Sequence, residues 1–158
     1  MNIQDYNRAI SGDKNLADAD LRGADLSYEK STWGVIKDGT NLSRANLERA
    51  NLSGTSADSV NFSNANLRGA NLSGAHLRGA NLSGADLKEA NLSISLFTCC
   101  NLTGANLERA NLETQDLRDA NLKEANLADA DLRDANLKDA DCKWCCLTDT
   151  DLRDANLT

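Results

Sequence analysis

The chain has no proline in 158 residues, one histidine, and only two each of phenylalanine, tyrosine and tryptophan. Proline deletes a donor from a β-ladder, so its absence suits a long, uninterrupted ladder of strands. So few aromatics argue against an ordinary globular core, which mixes large aromatic and β-branched residues; a narrow repeated interior does not need them. A lone histidine, His76, leaves acid–base chemistry to exposed carboxylates with no pocket to shift them. No apolar run approaches membrane-spanning length, and Met1–Lys14 has neither the basic start nor the apolar centre of a secretory signal. A cytoplasmic location without membrane contact is therefore expected. A basic stripe is missing as well, which speaks against direct binding of nucleic acid.

What the chain does have is leucine and alanine in a fixed order. Residues 66–90 read NLRGA NLSGA HLRGA NLSGA DLKEA, with Leu second and Ala fifth in every unit. A period of five fits neither regular structure. On an α-helix, successive Leu would rotate by roughly 140° and smear around the cylinder; on a flat strand they would alternate between faces. Only a path that turns a corner every five residues, always in one sense, points every Leu and Ala at a common axis. The spacing runs unbroken from Leu42 to Leu157, with Ala57, Phe62, Phe97 and Cys142 as its only non-Leu centres, and this makes twenty-four units. Leu16, Leu21, Leu26, Ser31 and Ile36 continue it towards the N terminus.

In these units the chain resembles the pentapeptide-repeat proteins, whose motif is A-[DN]-L-x-x. The resemblance implies an all-β fold: a right-handed quadrilateral parallel β-helix with four units per coil, hence about seven coils and a rod of roughly 30 Å or more at ~4.8 Å per coil. It covers Asn15–Glu29 and Asn41–Thr158. Two segments stand outside it. Residues 1–14 place Ile3, Tyr6 and Ile10 on one face of a short helix or turn ended by Ser11-Gly12-Asp13, an expected cap for the open first coil. Within 15–158, register slips by one residue between Ile36 and Leu42. A bulge at Asp38-Gly39, within a loop over about 28–40, is the simplest account. Tyr28, Lys30 and Trp33 belong to that loop. Trp33 either covers the neighbouring coil or heads a protrusion for a partner.

Surface positions carry what the repeat does not dictate. Asn61, Asn81, Asn101 and Asn121 recur every twenty residues, the spacing of an amide ladder up one face. Ser93–Cys100 departs from the motif: Ile94 and Cys99 take outward positions and Leu96 takes the Asn position, forming a small apolar patch. Residues 1–79 hold nine acids and nine bases, whereas residues 80–158 hold fifteen acids and eight bases, so the net charge of −7 belongs to the second half. Asp129, Asp134 and Asp154 follow a core centre by two positions, and most acids in this half have a basic neighbour one residue away. Such a face serves as a solvated, salt-bridged surface or as a binding surface.

Cys142 and Cys145 have the C-x-x-C spacing of zinc or thiol redox sites, but in register they replace a core Leu and a core Ala. They are expected to be interior fillers in a reducing compartment, with Cys99 and Cys146 as surface thiols. Neither metal nor cofactor is expected. The candidate partner surface comprises Trp33, Ile94, Leu96, Asp129, Asp134, Trp144 and Asp154. The expected function is a non-enzymatic scaffold that binds one or more proteins, with the uncapped C-terminal coil offering a route to a homodimer. The alternative comes from the resemblance: quinolone-resistance pentapeptide-repeat proteins and their mycobacterial relative are acidic rods that mimic DNA and bind DNA gyrase. Those rods typically dimerise through a C-terminal helix, and this sequence ends in register at Asn156-Leu157-Thr158.

Overall fold

The computed structural model describes residues 1–11, 13, 15–26, 36 and 38–158. Each unit folds locally first. In the unit around Leu42, the Ala45 N–H donates to the Leu42 carbonyl at 3.1 Å, and the residue between them, Arg44, has φ 57°. That is a β-turn with its third residue in the left-handed region, as in type II turns. Asn41 sets up the corner, since its side-chain oxygen accepts the Ser43 N–H at 3.1 Å. The preference for Asn or Asp before each Leu thus has a direct cause: a short side-chain carbonyl can cap its own turn. Glycine takes the left-handed station at Gly54, Gly69 and Gly74, but Arg49, Ile94 and Trp144 are forced into the same conformation elsewhere.

Units then stack. Parallel bridges join Asn41, Asn61, Asn81, Asn101, Asn121 and Asp141 in one column, every step twenty residues long. Between consecutive coils the bonding repeats: the Leu42 N–H donates to the Asn61 carbonyl at 2.7 Å, the Arg44 N–H to Ser63 at 2.9 Å, and the Asn61 N–H back to Thr40 at 2.9 Å. Side chains reinforce the column. Asn81 donates to Asn61 at 3.3 Å and Asn101 to Asn81 at 3.2 Å, the amide ladder expected from the twenty-residue recurrence, but among the described residues Asn121 does not extend it: the Asn101 oxygen accepts from Thr103 instead.

The interior follows from this geometry. Leu42 through Leu132 and both Phe side chains are fully buried at the centre stations, with Ala, and occasionally Thr, Ser, Val or Gln, filling the stations between. Fully burying a Leu is worth about 1.5–3 kcal/mol, so the repeat supplies most of the driving force with one residue type.

Two expectations are corrected. The first coil is longer than the rest: Asn15 bridges Asn41, Asp20 bridges Asn46, and Asp25 bridges Asn51, each step being twenty-six residues. Yet Asp38-Gly39 is not the bulge. Gly39 donates its N–H to Asp58 at 3.2 Å, and its φ of 73° matches the left-handed station of ordinary units, so this is a regular corner in register. The extra residues lie between Leu26 and Asp38; there Ile36 is buried, while Tyr28, Lys30, Ser31 and Trp33 lie outside the described residues.

The second correction concerns the N-terminal helix, α1 (Ile3–Ile10), capped by the Asn2 side chain accepting the Gln4 N–H at 2.9 Å. Ile3 and Ile10 are exposed; Ala9 is the residue buried against the core, with Tyr6 half-buried beside it. Polar contacts set this orientation. Asp5 accepts the Asp20 N–H at 2.9 Å, Asp13 accepts the Asn15 N–H at 2.9 Å, Asn2 donates its N–H to the Asp20 carbonyl at 2.8 Å, and the Arg8 guanidinium donates to the Asn15 carbonyl. The helix is docked by finishing the ladder's hydrogen bonds, and its isoleucines are left outside.

Candidate functional site

The twenty-residue register decides which candidate residues meet. Ile94, Asp134 and Asp154 share one column, continuing Gly54 and Gly74, with Thr114 between Ile94 and Asp134. Ile94 is 77% exposed and, although β-branched, sits at φ 60°. Leu96 lies around the corner, bridging His76 and Asp116, and is half-buried, so the expected apolar patch is in effect Ile94 with the edge of Leu96. Asp129 belongs to a different column. Trp144 stands at the last coil, 72% exposed, with the Lys143 ammonium 4.3 Å from its ring centroid. Trp33 lies outside the described residues.

The charged half is organised more sharply than its sequence suggests. Arg118, Arg133 and Arg153 each fold back onto the acid two residues earlier: Arg118 to Asp116 at 2.7 Å, Arg133 to Asp131 at 2.7 Å, and Arg153 to Asp151 at 2.5 Å. These forks hold the carboxyls of Asp116, Asp131 and Asp151 below the usual range, Asp151 at about 2, and raise the arginines in turn. Asp129 pairs with Arg109 at 3.5 Å. Glu124, Asp134, Asp139, Asp149 and Asp154, by contrast, make no ion pair among the described residues. Sequence adjacency to a base is therefore not compensation: Arg118, Arg133 and Arg153 are each spent on the Asp before their own Leu, and of the acids at the left-handed corners Asp129 is paired while these five are left projecting.

His76 lies outward between Ser56 and Leu96 in its column, as its sequence position implies. Gln115 is the unforeseen interior residue. It replaces an Ala, is fully buried, donates its amide to the Ser95 carbonyl, and leaves its own carbonyl oxygen without a partner. Its polarity within the Leu/Ala pattern was the available signal.

The cysteines divide into two groups. Cys100 is buried, and desolvation pushes its thiol up to about 12. Cys99 and Cys146 are exposed free thiols, as their outward positions imply; hydrogen bonding with Thr148 lowers Cys146. Cys142 and Cys145 do not remain separate fillers. They face the interior but are joined in a disulfide, their Cα atoms being only 5.3 Å apart across one corner of the coil, within bonding reach. Below them the interior opens. Leu137, Ala140, Cys142, Leu147, Leu152 and Leu157 line an apolar mouth of about 250 Å³. Among the described residues no cluster of His, Cys, Asp or Glu is placed to hold a metal ion, and no helix is long and apolar enough to cross a membrane.

The family profile described as pentapeptide repeats matches the chain in eight copies, over residues 38–74, 58–93, 75–113, 95–134 and 116–154. The chain belongs to the pentapeptide-repeat family. Solved relatives of this β-helical family agree. HetL from Nostoc sp. strain PCC 7120, a pentapeptide repeat protein involved in heterocyst differentiation regulation, is 32% identical over 89% of this chain and 71% of its own, with a TM-score of 0.43. A pentapeptide repeat protein of the Arabidopsis thaliana thylakoid lumen is 32% identical over 83% of this chain and 74% of its own, TM-score 0.37. The full-length plasmid-mediated fluoroquinolone resistance protein QnrB1 is 23% identical over 87% and 74%, TM-score 0.51, a likeness of fold. Among curated proteins, none matches this chain in sequence. Members of the family are generally structural or interaction proteins, and no catalytic family is indicated.

Proposed function

We propose that this pentapeptide-repeat protein is a cytoplasmic, non-enzymatic scaffold of about seven coils, closed at one end by α1, that binds one or more proteins on its flat outer faces. One observation carries the reading: among the described residues from Leu16 to Leu137 the interior is filled almost wholly by Leu, Phe and Ala, and its few polar side chains, such as Gln115, are sealed in, so the groups open to a partner stand on outward faces. The partner does not include nucleic acid or membrane. The open last coil is a second surface, through which two copies pair as a homodimer. Photo-crosslinkers placed singly at Asp134 and at Ser73 test the faces against each other in extract of the source cell. Capture of the same protein from one face but not from the other supports the scaffold; indiscriminate or absent capture from both overturns it.

A second reading is favoured by the unpaired corner acids: modulation of a DNA-handling enzyme such as DNA gyrase by mimicry of DNA. Mimicry needs carboxylates uncompensated by bases, and Glu124, Asp134, Asp139, Asp149 and Asp154 meet that need. Inhibition of gyrase supercoiling near stoichiometric concentration, weakened by salt and by Asp134→Asn with Asp154→Asn, would put this reading first. No inhibition at low or moderate salt would remove it.

A further inference from the structure

Cys142 and Cys145 occupy the stations that Leu122 and Ala125 fill one coil earlier. At that earlier corner two ladder bonds hold the chain, from the Leu122 N–H to Asp141 at 2.8 Å and from the Glu124 N–H to Lys143 at 3.1 Å. The corner closed by Cys142 and Cys145 has its turn bond, Cys145 N–H to the Cys142 carbonyl at 3.2 Å, but the N–H groups of Cys142 and Trp144 find no backbone acceptor among the described residues. A covalent bond crosses this corner in addition to its turn bond. Its two sulfurs differ in access: Cys142 lines the apolar mouth, and Cys145 does not. At the tip of the corner, Trp144 turns an exposed ring outward with Lys143 over it. No other cysteine is so placed, because Cys100 is sealed in the interior and Cys99 and Cys146 are unbonded.

We propose that Cys142–Cys145 is a thiol–disulfide exchange site, taking a dithiol or disulfide partner at the apolar mouth that Cys142 lines and loosening this corner when reduced. A thiolate of the dithiol attacks the Cys142 Sγ; a mixed disulfide forms, and the Cys145 Sγ leaves as a thiolate that takes a proton from water. The dithiol's second thiolate then attacks its own sulfur in the mixed disulfide, the Cys142 thiolate leaves, and the partner departs as an internal disulfide. Two electrons pass to the cysteine pair. The reverse sequence re-forms the bond from a disulfide partner. Without the bond, the 142–145 corner keeps its turn bond and its bonds to the preceding coil, among them the Asp141 N–H to Ala120 at 3.0 Å and the Cys146 N–H to Ala125 at 2.9 Å, so the change is local.

The proposal is independent of which protein the faces bind, and its test needs no partner. The folded, oxidised protein is alkylated with iodoacetamide before and after brief treatment with dithiothreitol, and the labelled peptides are mapped by mass. Label on Cys99 and Cys146 beforehand, joined afterwards by Cys142 and Cys145 but not Cys100, is the expected result, with faster amide hydrogen exchange confined to about residues 140–150. Label on Cys142 and Cys145 without reductant, or none on them until the protein is denatured, overturns it. The direction of attack is read with an aromatic disulfide: Cys145→Ser should react at Cys142 at least about tenfold faster than Cys142→Ser reacts at Cys145. Equal or reversed rates would overturn the assignment of Cys142 as the attacked sulfur.

Discussion

The first and last coils carry the same repeat, but they finish the ladder in different ways. At the first coil, Asp5, Asp13, Asn2 and Arg8 supply partners for the N–H and carbonyl groups of Asn15 and Asp20, and Ala9 closes the interior. At the last coil no side chain among the described residues does this: Leu147 and Leu157 are 42% and 62% exposed, and a disulfide ties one corner. The repeat makes a middle, which is self-sufficient because each coil is the template for the next, but it cannot make an end. The first coil is closed by residues that stand outside the pattern, those of α1 and its flanks.

The sharpest way to break the comparison is to cut the middle and an end alike. Leu102→Ala should cost about 2–5 kcal/mol in denaturant titration, since a narrow tube collapses poorly around a cavity, whereas Leu157→Ala, already largely exposed, should cost under about 1 kcal/mol. Equal losses would mean that burial does not decide which coils matter. Asp5→Ala should come next, at about 1–3 kcal/mol, because it strips the Asp20 N–H of its acceptor beneath the cap. Ile94→Gly should stabilise by about 1 kcal/mol by relieving a β-branched residue at positive φ; a loss of stability there would show that Ile94 packs on something its exposure conceals.

The smallest effect is electrostatic. Asp116, Asp131 and Asp151 have folded-state values below the 3.8 of a free carboxyl, so their contribution is complete above that pH and is lost as pH falls towards about 2, where Asp151 protonates. Thermal unfolding followed from pH 7 to pH 2 should therefore show little change above about pH 5 and a gradual decline below pH 4. Arg133→Ala should flatten part of that decline while changing stability little at pH 7, as loss of exposed ion pairs does. A decline that begins near neutrality would point to a different group.

The five-residue period made the fold legible, because only one kind of path buries Leu42, Leu47 and Leu52 together, and the twenty-residue recurrence of Asn61 and Asn81 gave the column register. The misreadings share a cause. Ile3, Tyr6 and Ile10 looked like the buried face of α1 because apolar spacing was the visible signal, but backbone hydrogen bonds of the first coil decided how the helix docked. Arg133 stands in sequence between Asp131 and Asp134 and nothing in the letters chooses between them; the left-handed corner swings Asp134 away and leaves Asp131 facing the guanidinium. The join between Cys142 and Cys145 was hidden for a similar reason, since inward-facing stations explain small residues equally well whether or not they bond.

The bonds between coils run along the axis of the rod, and this has a mechanical consequence. Tension drawing the chain off its last coil would load these bonds a few at a time, as in opening a zipper, and no single strong event would guard the whole. Each coil peeled away would free twenty residues, roughly 70 Å of extended chain, so a force–extension trace should rise and fall in even steps, the first of them shortened wherever the Cys142–Cys145 bond keeps its small loop from paying out.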